Sequence, residues 1–245
     1  MKYSDDTYGN EVASVYDGWY SEVDRHAIDR LAELTGDGKA LELGVGTGRI
    51  ALPLAARGVN VNGIDVSESM LDQLKVKTGA EKIALHFGSF LDLEVPGQFD
   101  LIYIVFNTIY MLTSQEDQVR CFKSVASHLT DNGVFLLEAF VPDLTRFQGN
   151  QANWVQKITD EVVQLDVGLH DAVQQTVTSQ KVVLSNGNVR LYPLKIRYAW
   201  PSELDLMAQV AGLRLRDRWN DWQKTPFDST NGKHISIYER MSDTL

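Results

Sequence analysis

The 245-residue sequence predicts an α/β fold: a mostly parallel sheet with helices on both faces, carrying a small antiparallel β insertion. Three observations carry this. Between Lys39 and Glu138, short apolar runs alternate with segments of helical periodicity. A Gly-x-Gly-x-Gly loop, Gly44 to Gly48, follows the first apolar run and precedes a helix. After Val141-Pro142 the pattern changes to long runs of mixed polarity, two of them joined by Asn186-Gly187, a strong hairpin signal.

The first 35 residues are rich in Tyr and Asp and then become helical. Glu22 to Leu34 places Val23, Ala27, Ile28, Leu31 and Leu34 on one helical face, and Thr35-Gly36-Asp37-Gly38 ends that helix. Lys39 to Leu43 reads as a strand. Arg49 to Arg57 reads as a helix that tolerates Pro53 in its first turn. Val59 to Ile64 is a strand, and Ser67 to Val76 a helix with Ser67 as N-cap. Ile83 to Phe87 and Phe99 to Val105 are strands. Glu116 to Leu129 is an amphipathic helix burying Val119, Phe122, Val125, Ala126 and Leu129. Asp131-Asn132-Gly133 is a turn before a strand at Val134 to Glu138. Trp154 to Val167, Ala172 to Leu184 and Val189 to Ala199 read as three long strands. Pro201 to Ala211 is a helix, and Leu213 to Trp219 pairs with His234 to Glu239 as a terminal hairpin.

Composition narrows the function classes. At 44% hydrophobic residues the chain has enough apolar mass for a sizeable core. With 33 acidic and 23 basic residues the net charge is −10. That argues against a nucleic-acid binder or an anionic membrane surface, since both require a basic face. It leaves a cationic or zwitterionic small molecule open. The single cysteine, Cys121, excludes an internal disulfide and a cysteine metal cluster. Met1 to Asp6 is polar and acidic, unlike a signal peptide, and the longest apolar run, Leu101 to Phe106, is far too short to span a membrane. A cytoplasmic protein is the expectation.

Gly44, Gly46 and Gly48 let the backbone turn sharply and approach a ligand closely, and the helix behind them offers free N–H groups. Arg49 stands where the dinucleotide fingerprint requires its last glycine, and no Gly-Lys-Ser/Thr follows. Asp65 ends the next strand, 21 residues beyond Gly44, which places its carboxylate beside the loop at the C-terminal edge of the sheet. An acid there accepts hydrogen bonds from ribose hydroxyls. A plain structural turn for the loop, and a helix-capping role for Asp65, are the alternatives.

These residues resemble class I S-adenosylmethionine (SAM)-dependent methyltransferases. Glu42-Leu43-Gly44-Val45-Gly46-Thr47-Gly48 and Gly63-Ile64-Asp65-Val66-Ser67 with Met70-Leu71 carry the likeness. Gly88 to Leu93, Phe99 to Ile102 and Leu129 to Phe135 follow in the family's order. The resemblance covers residues 37–140 well and the terminal strands loosely. It implies a Rossmann-like seven-stranded sheet, mostly parallel with an antiparallel last strand, and SAM as cofactor. It implies that Glu42 and Gly44 to Gly48, Val45 included, wrap the methionine part. Asp65 would hold the ribose, Val66 and Met70 sandwich the adenine, Ser89 and Phe90 face its edge, and Val105 or Phe106 lie under the sulfonium. Many relatives carry Asp where this chain has Ser89.

The front, Tyr8 to Asp17, resembles the lid helix of small-molecule methyltransferases. Tyr8 and Tyr16 are the aromatic candidates for the methyl-transfer zone, and Tyr16 also for the cofactor; packing of the helix onto the sheet is the plainer alternative. Of five histidines, His170 in the insertion is the candidate base and substrate contact, while His26, His86, His128 and His234 read as structural. Phe106, Asn107, Tyr110 and Glu138 lie where this fold places substrate, and Phe140, Trp154 and Tyr198 are candidate pocket walls. No metal-ligand cluster is visible. The combination resembles bacterial N-methyltransferases of amino sugars and natural products. The expected enzyme is a SAM-dependent methyltransferase acting on a small-molecule acceptor, an amine before a hydroxyl, with no nucleic-acid or membrane partner. An O- or C-methyltransferase and a non-catalytic SAM-binding protein are the alternatives. A homodimer is left open as the assembly. The expected organisation is one domain over 1–245: lid 1–36, core 37–140, substrate cover 141–200 and closing elements 201–245.

Overall fold

The computed structural model describes residues 3–241; Met1, Lys2 and residues 242–245 lie outside the described residues, and with them the part of the N-terminal reading that rests on Met1 and Lys2. In chain order the elements are α1 (Thr7–Val12), α2 (Tyr16–Trp19), α3 (Arg25–Thr35), β1 (Lys39–Leu43), α4 (Ala51–Ala56), β2 (Asn60–Asp65), α5 (Glu68–Lys75), β3 (Ile83–Phe87), β4 (Phe99–Ile104), α6 (Gln115–His128) and β5 (Leu129–Phe140). They continue as β6 (Gln151–Ile158), β7 (Val162–Asp171), β8 (Thr176–Ser185), β9 (Asn188–Arg197), α7 (Pro201–Val210), β10 (Leu213–Trp219) and β11 (Lys233–Arg240).

One sheet has seven strands in the order β10-β11-β5-β4-β1-β2-β3. The pairs β1–β2, β2–β3, β1–β4 and β4–β5 are parallel, while β11 runs antiparallel to β5 and to β10. This is the sheet the sequence predicts. Its strands alternate between two buried layers. Ile102, Ile104, Phe135 and Leu137 pack with Phe122 and Val125 of α6 and Leu204 and Met207 of α7. Leu101, Tyr103, Val134 and Leu136 pack with Ile28 and Leu31 of α3, Leu54 of α4 and Leu74 of α5. Each such Leu, Ile or Phe contributes roughly 1.5–3 kcal/mol by leaving water, which is why both strand faces are apolar.

The second sheet, β6-β7-β8-β9, is antiparallel throughout. Asn186 and Gly187 have φ of 49° and 76°, the left-handed pair that a two-residue hairpin turn requires. Three expectations are corrected. The run Trp154 to Val167 is a hairpin, not one strand, because Thr159 Oγ1 accepts from the amides of Glu161 and Val162 and closes a turn. Asp131 to Gly133 lie within β5 instead of forming a separate turn, with Leu129 already paired to Phe99. The helix read over Arg49 to Arg57 shortens to α4, so the loop and not a helix end meets the site.

Two sets of contacts fix the cover and the lid. Arg197, at the root of β9, donates to Gln118 Oε1 at 2.6 Å and Glu203 Oε1 at 2.7 Å, joining the second sheet to α6 and α7. On the lid side, Ser67 Oγ donates to Asn10 Oδ1 at 2.7 Å, Thr47 Oγ1 donates to Asp17 Oδ1 at 2.6 Å, and Lys77 pairs with Asp17. Among the described residues no helix is long and apolar enough to cross a membrane.

Candidate active site

A cavity of about 300 Å³ opens at the C-terminal ends of β1, β2 and β4, roofed by the lid and walled by β9. Its floor is the glycine loop. Gly44, Gly46 and Gly48 all have positive φ (72°, 53° and 81°), and the amides of Gly44 and Val45 both donate to Ile64 O, binding the loop to β2. Gly44 and Gly46 line the cavity; Gly48 turns inward against Leu74 and Leu52.

Asp65 sits beside the loop, buried, with one carboxylate oxygen accepting from Gly46 N and the other from Ser67 N, both at 2.8 Å. Burial raises its pKa, and the bonds from the Ser67, Gly46 and Val66 amides work against that rise. Its two oxygens offer about four acceptor sites, more than these three amides use, so acceptor capacity remains for a ligand. Ser67 caps α5 by accepting from Met70 N, as the sequence predicts, so Asp65 itself ties two loops together.

The wall beyond β4 is strained. Phe106 and Asn107 have φ of 58° and 68°, unusual for residues with a side chain and costing about 1–3 kcal/mol each. Glu138 pins the pair: its carboxylate accepts from Phe106 N and its carbonyl from Asn107 N, both at 3.2 Å. Asn107 Oδ1 accepts from Phe140 N at 2.7 Å. Aromatic rings complete the wall. Tyr16 and Tyr20 lie 4.9 Å apart, Tyr20 meets Phe106 edge-on at 5.0 Å, and the Arg49 guanidinium covers Phe106 at 4.5 Å. Burial pushes the Tyr16 hydroxyl up to about 12. Burial, then the neighbouring Tyr20 and Tyr16 hydroxyls, raises Tyr8 well above its ordinary value. Both are neutral phenols at pH 7.

Of the residues the sequence singles out, Tyr8, Tyr16, Gly44, Gly46, Asp65, Val66, Met70, Phe90, Phe106 and Asn107 line this one cavity, as does Phe140. Glu42, Val45, Gly48, Ser89, Val105, Tyr110, Glu138 and His170 do not line it. Ser89 Oγ accepts from Leu91 N within its own loop. Tyr110 is fully buried, its hydroxyl set between the carbonyls of Phe140 and Ala199, so it joins three segments and is not free to orient a substrate. His170 lies near the end of β7, because that strand runs to Asp171. It stacks on Phe147 at 4.4 Å with Nε2 3.0 Å from the Tyr198 hydroxyl, buried away from the cavity as part of the cover's packing.

The sequence reading missed Asp5, Gly9, Tyr20, Thr108, Met111, Leu194 and Ile196, and gave Ser67 only its cap role. Gly9 carried a signal. A Cβ there would stand 2.6 Å from Ser67 Cβ, so a glycine inside a helix marks the close seat of the lid.

The profile of a family described as a methyltransferase domain matches residues 40–133. The solved structure of the CcbJ methyltransferase from Streptomyces caelestis is 35% identical, with 98% of this chain and 100% of that one covered and a TM-score of 0.93. The chain belongs to the SAM-dependent methyltransferases. A cypemycin N-terminal methyltransferase from a Streptomyces species is 27% identical over 210 residues, 84% of each chain. The sugar N-methyltransferase KedS8 from Streptoalloteichus shares the fold at 15% identity, covering 98% of this chain and 97% of its own, with a TM-score of 0.70.

In this methyltransferase Glu42 lies under the loop, buried, accepting from the Tyr103 hydroxyl at 3.0 Å. Burial raises its pKa to about 8, against the Tyr103 bond and the Arg49 charge. The folded state therefore holds a proton there that the unfolded chain releases near its ordinary value of 4.5. The contribution is fully present below that value and is lost as pH rises through about 8. Glu42→Gln keeps the uncharged form at every pH. Its Tm relative to wild type is expected to improve steadily from pH 4.5 to 8 in ligand-free scanning calorimetry; a difference that stays constant with pH contradicts a protonated Glu42.

Proposed function

We propose that this methyltransferase moves the SAM methyl group to the nitrogen of a small amine. SAM supplies an electrophilic methyl carbon on a sulfonium sulfur. Asp65 holds the ribose hydroxyls with its remaining lone pairs. The Gly44 to Gly48 loop receives the methionine part, with the buried Glu42 at the end of β1 as support. Val66 and Met70 flank the adenine, with Phe90 at its edge. Phe106, Tyr16 and Tyr20 present π faces to the cationic centre, an arrangement worth about 0.5–2 kcal/mol per ring. The lid and the four-stranded sheet close the site within one domain, and closure supports in-line displacement by excluding water and fixing the approach, an effect worth up to about 7–11 kcal/mol.

The observation that carries the choice of nitrogen is that two phenol hydroxyl groups, those of Tyr8 and Tyr16, line the cavity together with Asp5. A phenol oxygen accepts an N–H hydrogen bond and aims the nitrogen lone pair. A hydroxyl acceptor needs instead a group that removes its proton, and His170 is engaged elsewhere. One of the similar proteins is named a sugar N-methyltransferase and another an N-terminal methyltransferase. Tyr8→Phe and Tyr16→Phe are expected to lower kcat with an amine acceptor by about tenfold or more, the worth of one hydrogen bond, with SAM affinity nearly unchanged by calorimetry. Two fully active variants would leave both rings with a packing role only. Matched acceptors that differ only in bearing an amine or a hydroxyl test the reading itself, and preferential methylation of the hydroxyl overturns it.

A further inference from the structure

Beside the cavity described above lies a smaller one, of about 110 Å³, between the lid and the inward face of the second sheet. Tyr8, Tyr20 and Leu194 line both, so the two spaces adjoin through these side chains. A pocket that takes a ligand by itself usually offers roughly 300–1,000 Å³, so the smaller space is an annex to the larger. Its back wall is one cross-strand row, in which Trp154 of β6, Asp166 of β7, Lys181 of β8 and Tyr192 of β9 pair directly. Trp19 of the lid meets Tyr192 edge-on at 4.8 Å, and the Arg146 guanidinium covers the Trp154 ring at 4.8 Å.

The polar pair in this row is incompletely bonded. The Asp166 and Lys181 side chains are only 15% and 18% exposed. Yet the Lys181 ammonium stands 3.4 and 3.5 Å from the two carboxylate oxygens, against about 2.7–2.9 Å for a well-made charged hydrogen bond. Gln156 Nε2 donates to Asp166 Oδ2 at 2.7 Å. Among the described residues no donor hydrogen-bonds to Oδ1, and the ammonium makes no hydrogen bond beyond the long one to Oδ2. Sheltered charges with spare bonding capacity are costly. Packing does not demand them here, since two steps and four steps along this face the β8–β9 pairs are Ser179 with Leu194 and Val177 with Ile196.

We propose that the annex binds the far end of the acceptor, that this end is a saturated ring carrying a hydroxyl group, and that Asp166 and Lys181 select it. The inference rests on the reading that the acceptor nitrogen meets the methyl group in the larger cavity. A hydroxyl suits the pair because it donates to Asp166 Oδ1 and accepts from Lys181 at once, leaving the two charges balanced. A carboxylate there would face Asp166, and an ammonium would face Lys181. Trp19, Trp154 and Tyr192 offer apolar surface to the ring carbons. An acceptor that spans both spaces passes Tyr8, one of the phenols that aim its nitrogen, so holding the far end also fixes the near one.

Initial rates with labelled SAM test this on two probes, cyclohexylamine and an aminocyclohexanol whose hydroxyl lies opposite the amine. Wild type is expected to show a KM about tenfold lower for the amino alcohol, the worth of one hydrogen bond to a charged group. Asp166→Leu combined with Lys181→Met replaces the pair by apolar side chains, an exchange that buried ion pairs often tolerate. A SAM-induced thermal shift checks that this variant is folded, and Lys181→Gln serves where it is not. In the variant the two amines are expected to have nearly equal KM values. A wild type without the preference, or a variant that loses rate equally with both amines and so keeps the preference, overturns the proposal. The matching cyclohexanediol, which has no nitrogen, separates the annex from the amine reading. With the enzyme loaded with S-adenosylhomocysteine, saturation-transfer NMR is expected to show the diol bound to wild type and not to the variant. Diol binding of that kind without any methylated amine would sink the nitrogen reading alone. No diol binding to wild type, or equal binding to both proteins, overturns the annex.

Discussion

Asp65→Ala is expected to weaken SAM binding at least tenfold and to remove most of the thermal shift that SAM confers. The carboxylate is asked to do two things at once. It accepts the Gly46 and Ser67 amides, holding the glycine loop against the start of α5, and it offers its free lone pairs to the ribose. Charge-assisted hydrogen bonds of this kind are worth about 1.5–3 kcal/mol each, so losing one already gives a tenfold change. The loss of the two internal bonds should also lower the ligand-free Tm, because two amides lose their partner. Asp65→Asn is no remedy, since one end of the amide would point N–H at N–H. Because burial raises the Asp65 pKa, affinity should fall as the solution is acidified toward that raised value and the acceptor is protonated. Calorimetric titration of wild type and variant at neutral and mildly acid pH reads all of this, and an affinity unchanged within twofold would refute the ribose role.

The glycines separate stability from binding. A Cβ on Gly48 would stand 2.3 Å from Leu74 Cδ1 and 3.1 Å from Leu52 Cγ, at φ 81°. Overpacking and the left-handed backbone together make Gly48→Ala cost about 2–4 kcal/mol, roughly 5–15 °C in Tm. Gly46 is the contrast. A Cβ there meets nothing closer than Gly44 O at 4.0 Å, so Gly46→Ala should fold with a loss near 1 kcal/mol while its methyl intrudes on the cavity. The expected pattern is a low Tm for Gly48→Ala and a low SAM affinity for Gly46→Ala. The reverse pattern would place the cofactor on the other side of the loop.

The core sheet was legible because its buried strands are nearly continuous apolar runs, punctuated by Gly44 to Gly48 and by Ser67 as a cap. The second sheet was less so. Its outward face is apolar at Leu165, Val182 and Leu191, which blurs the alternation that separates strand from turn, and so the Thr159 turn vanished into one long run. The site divides in the same way. Residues placed by local sequence order, such as Asp65, Val66, Met70 and Phe106, line the cavity as their motifs imply. Tyr20, Leu194 and Ile196 reach it only because the lid and β9 fold over the sheet, which no short-range pattern encodes. His170 attracted attention as a histidine in the cover, but its fate was decided by Phe147 and Tyr198, distant in sequence. Glu42 and Glu138 belong to the site's support rather than its surface: Glu42 is bonded to Tyr103 of β4, and Glu138 pins the strained Phe106–Asn107 turn.

The central claim is that this cavity holds the cofactor with its sulfur facing the tyrosines of the lid. A crystal structure of the full chain with S-adenosylhomocysteine tests it most directly. The account predicts the ribose hydroxyls on Asp65, the adenine between Val66 and Met70, and the sulfur opening toward Phe106, Tyr8 and Tyr16. Ligand bound outside this cavity, or bound in it with the adenine where the sulfur should lie, would contradict it.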